Sequence, residues 1–444
     1  MIRNIKFTFI CLLSAVFLTL PSCEIDTVEN PNGPTLESLE NGATLADLRL
    51  LASGVESVLR GDMQFYYWTT SIVGREYWDL NGTDPRYTSE LLGEQGVSLD
   101  NNGFLTTRAF AANYKVIRNA QILITATLNS NASLSQEEEN GILGYAKTMQ
   151  AYSLLLVANR QYQNGVRLDV ADPDKLGPFV GYDESLAGIS ALLDEAFDEL
   201  SNAGNEFVFF LSAGWDAVGG TPQGVGQFNR AIAARVELYR GNNSAVLDRL
   251  NKSYFDMGGD LNLAVSHAFG TGGNDIRNPL FNVLNNDLYT VHPSWLADAE
   301  AGDTRVDAKT TPYDSDEIGV PVSLAGLSGD TQVTLYSSDT DMVPIIRNEE
   351  LVLIYAEANI GSDNNAAVDA INVVRNAAGL ADYSGATDDA ALLEEVLHQR
   401  RYSLFGEGHR WIDLRRTGNL DRIPVDRSGD VVHVQFPRPV TEEG

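Results

Sequence analysis

The sequence predicts a mostly α-helical fold that combines paired helices with a loop-rich, mixed second half. Apolar side chains recur every three or four residues in several stretches, the spacing that gives a helix one buried face. The stretch 242–345 lacks that period and contains many glycines and turn residues, which favour loops, short helices and short strands. With 444 residues, of which 43% are hydrophobic, the chain is long enough to bury a large core. We therefore expect one domain over residues 37–444.

Four helical pairs are predicted from this periodicity, at about 42–80, 104–162, 182–241 and 347–379. Ser135 and Glu138 have the spacing of a capping box before the second helix of the second pair. Gly361 and Gly379 each follow a helix of the last pair, where a left-handed glycine can end it. Because one pair cannot bury its apolar stripes alone, we expect the pairs to stack on a shared core.

This arrangement resembles a degenerate tetratricopeptide array, although the pairs are unevenly spaced and the usual Trp-x-x-Leu-Gly pattern is absent. An irregular helical domain is the alternative. The tail Val431 to Pro439 alternates apolar and polar residues up to Phe436, which predicts either an added strand or an extended packing segment.

The segment 406–418, GEGHRWIDLRRTG, places arginines, a histidine and an aspartate around Trp411 in an otherwise acidic chain. Together with YAEA at 355–358 and INVVRNAAGL at 371–380, it resembles the SusD/RagB family of nutrient-binding outer-membrane lipoproteins of Bacteroidetes. The resemblance implies four helical pairs along one side of the molecule and loop-rich structure along the other.

The C-terminal helices and this motif, residues 388–420, are expected to fasten the fold. We interpret the charged residues as a buried ionic latch in which Glu407, Arg410, Asp413 and Arg415 or Arg416 surround Trp411. In the family, the motif is understood to define the fold rather than to contact ligand.

Residues 1–22 have the pattern of a lipoprotein signal peptide, with a basic start, an apolar run and Leu20-Pro21-Ser22 directly before Cys23. Cleavage would leave Cys23 as the lipid-modified N-terminus, and residues 23–36 would form a flexible tether. Because Cys11 leaves with the peptide, the mature chain contains no disulfide. We expect a lipid-anchored outer-membrane protein exposed at the cell surface; a plain secreted protein is the alternative.

The composition argues against several functions. The net charge of −30 repels nucleic acid and suits neutral sugars, cationic ligands or a basic partner surface. The sequence contains no G-x-S-x-G elbow, H-E-x-x-H motif or P-loop, so we assign no catalytic residue and expect no enzyme. Nothing in it demands a metal or other cofactor.

A sugar-binding site is predicted from aromatic residues interleaved with polar ones, because sugar rings present apolar C–H faces edged by hydroxyl groups. Two stretches have this mixture, one around 66–87 and one within the loop-rich segment. The predicted ligand-binding residues are Trp68, Arg75, Tyr77, Trp78, Asn81, Tyr87, Tyr289, Trp295 and Tyr336. Because large rings are usually mostly buried, roughly half of these aromatics are expected to be core instead.

Residues and resemblance together predict a non-enzymatic surface lipoprotein that captures an oligosaccharide and delivers it to a SusC-type TonB-dependent transporter. Two alternatives remain open. One is a peptide-binding, RagB-like lipoprotein of the same architecture. The other is a secreted glycan-cleaving enzyme on a helical scaffold.

Overall fold

The structure is a computed structural model that describes residues 36–273 and 275–442. The predicted signal peptide, Cys23 and nearly all of the predicted tether lie outside the described residues. Within the described ranges, no helix is both long enough and apolar enough to cross a membrane.

The predominantly helical prediction is confirmed. The α-helices are α1 (Leu36–Glu40), α2 (Leu45–Leu59), α3 (Gln64–Val73), α4 (Phe104–Leu128), α5 (Gln136–Gln161), α6 (Tyr182–Ser201), α7 (Pro222–Tyr239), α8 (Asn243–Leu250), α9 (Pro293–Ala297), α10 (Thr304–Lys309), α11 (Asn348–Asn359), α12 (Asn364–Ala377), α13 (Asp389–Ser403) and α14 (Arg410–Arg416).

The long helices pack in sequence as a stack. Helix α4 lies against α5, α5 against α6, α6 against α7, and α7 against α8 and α11, while α11 packs on α12 and α13. The predicted first pair differs, because α2 packs mainly along α4 rather than on α3. Its buried stripe of Leu48, Ala52, Val55 and Leu59 covers the end of the stack.

Helix α5 lies in the middle of the stack and has almost no solvent-facing side beyond its first turns. It begins with the predicted capping box, in which Ser135 and Glu138 each accept the other's backbone N–H. Nearly every residue from Gly141 to Gln161 is buried. At Gly144, a Cβ atom would lie 2.6 Å from Leu200 Cγ, so only glycine permits this approach to α6.

The loop-rich half contributes short strands. These are β1 (Tyr77–Asp79), β2 (Val166–Arg167), β3 (Phe179–Val180), β4 (Ala264–His267), β5 (Tyr289–Val291), β6 (Thr310–Pro312), β7 (Val322–Leu324), β8 (Leu327–Gly329), β9 (Thr331–Val333) and β10 (Val343–Arg347). A four-stranded antiparallel sheet has the order β1-β5-β9-β6. In it, Tyr77 pairs with Val291, Trp78 with Thr290 and Asp79 with Tyr289. The sheet therefore joins the residues after α3 to the distant segment around residue 290.

The ionic latch around Trp411 is centred on Asp413 and Arg416, whereas the predicted member Glu407 pairs instead with Arg347. The Trp411 side chain is fully buried and its Nε1 donates to the His433 carbonyl at 2.8 Å. Asp413 accepts hydrogen bonds from Arg400 Nε at 2.7 Å and from Arg416 Nε at 2.9 Å. Arg416 also forms a two-pronged pair with Glu357, so α14 is tied to α11 as well as to α13.

The tail after the latch is an extended packing segment and adds no strand to the described sheets. Phe436 is fully buried, and the Arg160 guanidinium lies 3.8 Å from the centre of its ring. The Phe436 N–H donates to the Arg160 carbonyl at 2.9 Å. The C-terminal segment is therefore fixed to helix α5.

Candidate ligand-binding site

Five aromatic rings, Phe65, Trp68, Tyr87, Phe104 and Tyr289, form the aromatic cluster, where α3, the start of α4, the 3-10 turn Pro85–Tyr87 and β5 meet. Trp68 and Tyr289 stack with ring centres 5.5 Å apart and planes 27° apart. Phe65 meets Trp68 edge-on at 5.7 Å and Phe104 at 5.8 Å, and Tyr87 meets Phe104 at 5.7 Å. Residues more than two hundred positions apart thus converge on one set of rings.

The aromatic cluster is anchored in the core and open to solvent. Phe65 is buried, whereas Trp68, Tyr87, Phe104 and Tyr289 are partly exposed. Trp68 also contacts Phe65, and Tyr289 also contacts Tyr77, so part of each stacked ring is covered and part is exposed. Rigid, partly exposed rings of this kind suit the apolar face of a sugar ring, because little side-chain freedom is lost on binding.

Polar side chains surround these rings. Arg86 lies over Phe104, 4.4 Å from its centre, and Arg108 lies over Phe65 at 4.9 Å. Asn81 donates from Nδ2 to Asp79 and accepts the backbone N–H of Leu288, each at 2.9 Å. Asn81 therefore fixes the end of β1 against the residue that precedes Tyr289.

The two tyrosine phenols of the cluster remain protonated near neutral pH. Burial, and then the Asp79 and Asp84 carboxylates, raises the pKa of Tyr87 to about 12. Burial raises the pKa of Tyr289 as well, with Asp79 as the next cause. The pKa of Asp79 is itself raised by burial, although hydrogen bonds from Asn81 oppose the shift. Both phenols can donate a hydrogen bond to a ligand hydroxyl.

Four of the predicted ligand-binding residues, Trp68, Asn81, Tyr87 and Tyr289, come together at the aromatic cluster. Four others, Arg75, Tyr77, Trp78 and Trp295, are buried by at least nine-tenths, and their assignment as ligand contacts is corrected here to packing and support.

The burial of Trp78 follows from strand alternation, and Arg75, two residues before β1, is buried against the carboxylate of Asp426. Successive side chains of β1 point to opposite faces, so Trp78 lies on the face away from Asp79 and Tyr289. That face is covered by Asp426, which accepts hydrogen bonds from Arg75 Nε at 2.8 Å, Trp78 Nε1 at 3.4 Å and His292 Nε2 at 2.7 Å. We call Asp426 and these three residues the Asp426 clamp.

Tyr77 and Trp295 pack in the core between the sheet and α13. The Tyr77 ring meets Tyr289 at 6.0 Å and Phe405 at 6.1 Å. Trp295 is fully buried, lies 4.3 Å from Phe405 between ring centres, and donates from Nε1 to the Arg401 carbonyl. Tyr336 is partly exposed, but burial and the nearby Glu407 carboxylate raise its pKa, which places it beside the ionic latch.

The predicted ligand-binding residues do not include Phe65, Phe104, Arg86 and Arg108, although Arg86 belongs to the stretch around 66–87 on which the prediction was based. A signal was present for Phe104 and Arg108, because they lie four residues apart on α4 and so share one face of that helix. Phe65 and Trp68 likewise lie three residues apart on α3. Among the described residues, no group of three or more histidine, cysteine or acidic side chains is arranged to hold a metal ion.

The fold is a helical scaffold that carries a partly exposed aromatic cluster, and comparisons with known proteins agree with this fold. The SusD family model matches residues 323–431. No protein of known, curated function matches the sequence.

Solved structures extend the likeness to most of the chain. A SusD superfamily protein from Bacteroides vulgatus has a TM-score of 0.68 at 15% identity, covering 90% of this chain and 96% of that one. A laminarin-binding SusD-like protein has a TM-score of 0.63 at 17% identity, covering 91% and 97%. Surface glycan-binding protein A from Bacteroides uniformis has a TM-score of 0.63 at 15% identity, covering 85% and 89%. These comparisons confirm the predicted resemblance to the SusD/RagB family, in sequence over the C-terminal segment and in fold over the described chain.

Proposed function

We propose that this protein is a non-enzymatic, cell-surface glycan-binding lipoprotein, and that an oligosaccharide binds at the aromatic cluster. The observation that carries the proposal is the stacked pair of Trp68 and Tyr289, with Tyr87 beside it and polar side chains around it. Two similar structures belong to proteins named for binding laminarin and surface glycans, which supports the same class of ligand.

The proposed partner is a SusC-type TonB-dependent transporter in the outer membrane. In this proposal, Cys23 carries the lipid anchor, residues 23–36 act as a tether, and residues 37–444 form one domain that passes its ligand to the transporter. Because the ligand must be released again, we expect a dissociation constant of micromolar or weaker, about −8 kcal/mol or less favourable.

The first experiment is affinity gel electrophoresis of the purified protein against a panel of polysaccharides. At least one polysaccharide should retard the wild-type protein, and Trp68→Ala and Tyr289→Ala should each weaken that binding about tenfold, since each removes one ring of the stack. Phe210→Ala is a matched control, because this ring is 93% exposed and belongs to the loop between α6 and α7. Its retardation should equal that of the wild type.

Circular dichroism and thermal unfolding establish that each variant is folded. If a folded Trp68→Ala, Tyr289→Ala double variant binds polysaccharide as tightly as the wild type, the ligand does not bind at the aromatic cluster. Release of reducing ends from a retained polysaccharide would instead indicate an enzyme. Peptide binding in calorimetry, without any response to glycans, would favour the RagB-like alternative.

A further inference from the structure

Both arginines beside the aromatic cluster are already paired with carboxylates. Arg86 donates to Asp84 twice, from Nε to Oδ1 at 2.9 Å and from Nη2 to Oδ2 at 2.6 Å. Arg108 Nη1 lies 3.7 Å from Asp62 Oδ1. Because a guanidinium that forms a two-pronged pair uses its best donor edge, Arg86 has little to offer an anionic ligand. Arg108 has its charge partly offset by Asp62.

Two further acidic residues lie on the β5 side of the cluster. Asp79 is directly opposite Tyr289 in the strand ladder, and Asp287 precedes Tyr289 by two residues. The Asp287 carboxylate is among the smaller causes that raise the pKa of Asp79 and of Tyr289. The carboxyl groups of these two acidic residues, together with those of Asp62 and Asp84, outnumber the two guanidinium groups beside the cluster.

Only these local charges matter strongly to a bound ligand. At physiological ionic strength the screening length is about 8 Å, so most of the net charge of −30 is screened from any one site. Asp84 pairs with Arg86, and Asp62 pairs with Arg108. Each of these arginines lies over a ring of the cluster, and all four charged side chains are partly exposed. Their charges therefore lie within the screening length of a ligand stacked on the cluster.

We infer that the aromatic cluster selects neutral glycans and discriminates against anionic ones, such as chains of uronic acids or sulfated sugars. Asp62 and Asp84 act as specificity-determining residues, because they neutralise the two arginines that would otherwise attract a carboxylate or sulfate. This inference rests on the proposed function and specifies the class of glycan that the site accepts.

The test compares each retained neutral polysaccharide with its own carboxymethylated derivative, so that the sugar backbone is the same in both probes. In 20 mM salt, the wild-type protein should bind the derivative at least about tenfold more weakly than the parent. The difference should shrink in 0.5 M NaCl, because salt screens the repulsion. Equal or tighter binding of the derivative would overturn the inference.

A variant pair separates local charge from total charge. The Asp62→Asn, Asp84→Asn variant frees both arginines, so its ratio of affinities for derivative and parent should rise several-fold. The control, Asp248→Asn with Glu394→Gln, also removes two negative charges, from ion-paired acids that are about half exposed on α8 and α13. Its ratio should stay at the wild-type value, and an equal rise in both variants would contradict the role of Asp62 and Asp84.

The two proposals fail in different ways. A folded wild-type protein that binds neither parent polysaccharides nor derivatives contradicts the proposed function, and this inference with it. A protein that binds the parent through Trp68 and Tyr289, yet accepts the anionic derivative equally well, retains the proposed function and loses only the selectivity.

Discussion

Glu76 is a buried carboxyl group directly before β1, and it is 1% exposed. Burial raises its pKa from 4.5 to about 7, while a hydrogen bond from the Gly406 N–H opposes the shift. The folded state therefore binds this proton more tightly than the unfolded chain does. For that reason, the contribution of Glu76 to stability is fully present below about pH 4.5 and is lost as the pH rises through about 7.

The Glu76→Gln variant should be more stable than the wild type at pH 8, because the amide keeps the acceptor for Gly406 without burying a charge. The advantage should diminish as the pH falls towards 5. Urea unfolding at several pH values measures this difference. Glu394→Gln is the control, since the pKa of Glu394 is lowered by Arg422 and its removal should bring no such gain. A Glu76→Gln curve parallel to the wild-type curve would contradict the prediction.

At the scale of single residues, composition predicted an aromatic cluster better than it predicted which rings are exposed. The sequence shows that Tyr77 and Trp78 point to opposite faces of a strand, but not that both faces are covered. Trp78 is covered by Asp426, which lies 348 positions away in the chain. The burial of Trp295 could not be predicted either, because the rings that cover it, Tyr402 and Phe405, lie more than a hundred positions later in the chain.

Among the elements, the long helices followed directly from their periodicity, as α4, α6 and α12 illustrate with their regular buried stripes. Helix α5 was identified by its cap and a partial stripe, although it is buried almost all round in the stack. The sheet was beyond sequence reasoning, because β1, β5, β6 and β9 have three residues each and long-range contacts determine their pairing. That pairing is what brings Tyr289 to Trp68.

The Asp426 clamp should set the position of β5, and with it the binding surface. We expect Asp426→Asn to lower the free energy of unfolding by about 3–5 kcal/mol, because the buried Arg75 guanidinium would lose the carboxylate that it pairs with. We also expect weaker glycan binding by the folded protein, since β5 carries Tyr289. Urea unfolding and affinity gels measure the two effects.

Asp413→Asn provides the matched comparison for this variant. It also breaks a buried arginine pair, but in the ionic latch rather than at the strand ladder. It should therefore reduce stability while leaving the affinity of the folded protein unchanged. If the two variants lost stability to the same extent and neither lost affinity for glycan, the Asp426 clamp would stabilise the fold without positioning the binding surface.

Across the whole molecule, the C-terminal third fastens regions that are far apart in sequence. The ionic latch joins α14 to α11 and α13, the Asp426 clamp grips β1 and β5, and Phe436 packs on Arg160 of α5. The motif at 406–418 was recognisable in the sequence because its residues form one continuous segment. The residues that contact this motif could not be identified from the sequence, since they lie throughout the fold.

The proposed anchor gives a prediction for the intact protein in its native cells. Cys23→Ser should abolish incorporation of labelled palmitate and move the protein out of the detergent phase, because no acyl chain would remain. Cys11→Ser should change neither, as this residue belongs to the predicted signal peptide. Membrane association that persists in Cys23→Ser, with labelling intact, would contradict lipidation at Cys23.

The Asp426 clamp also dictates the order in which a working molecule can arise. A polypeptide emerges with its N-terminus first, so Trp68 and Tyr87 leave the ribosome long before Asp426 does. The carboxylate that fixes their partner strand arrives when nearly all of the chain has been made. Under the proposed function, nascent and prematurely terminated chains would lack this carboxylate, and only complete copies would have a finished glycan-binding surface.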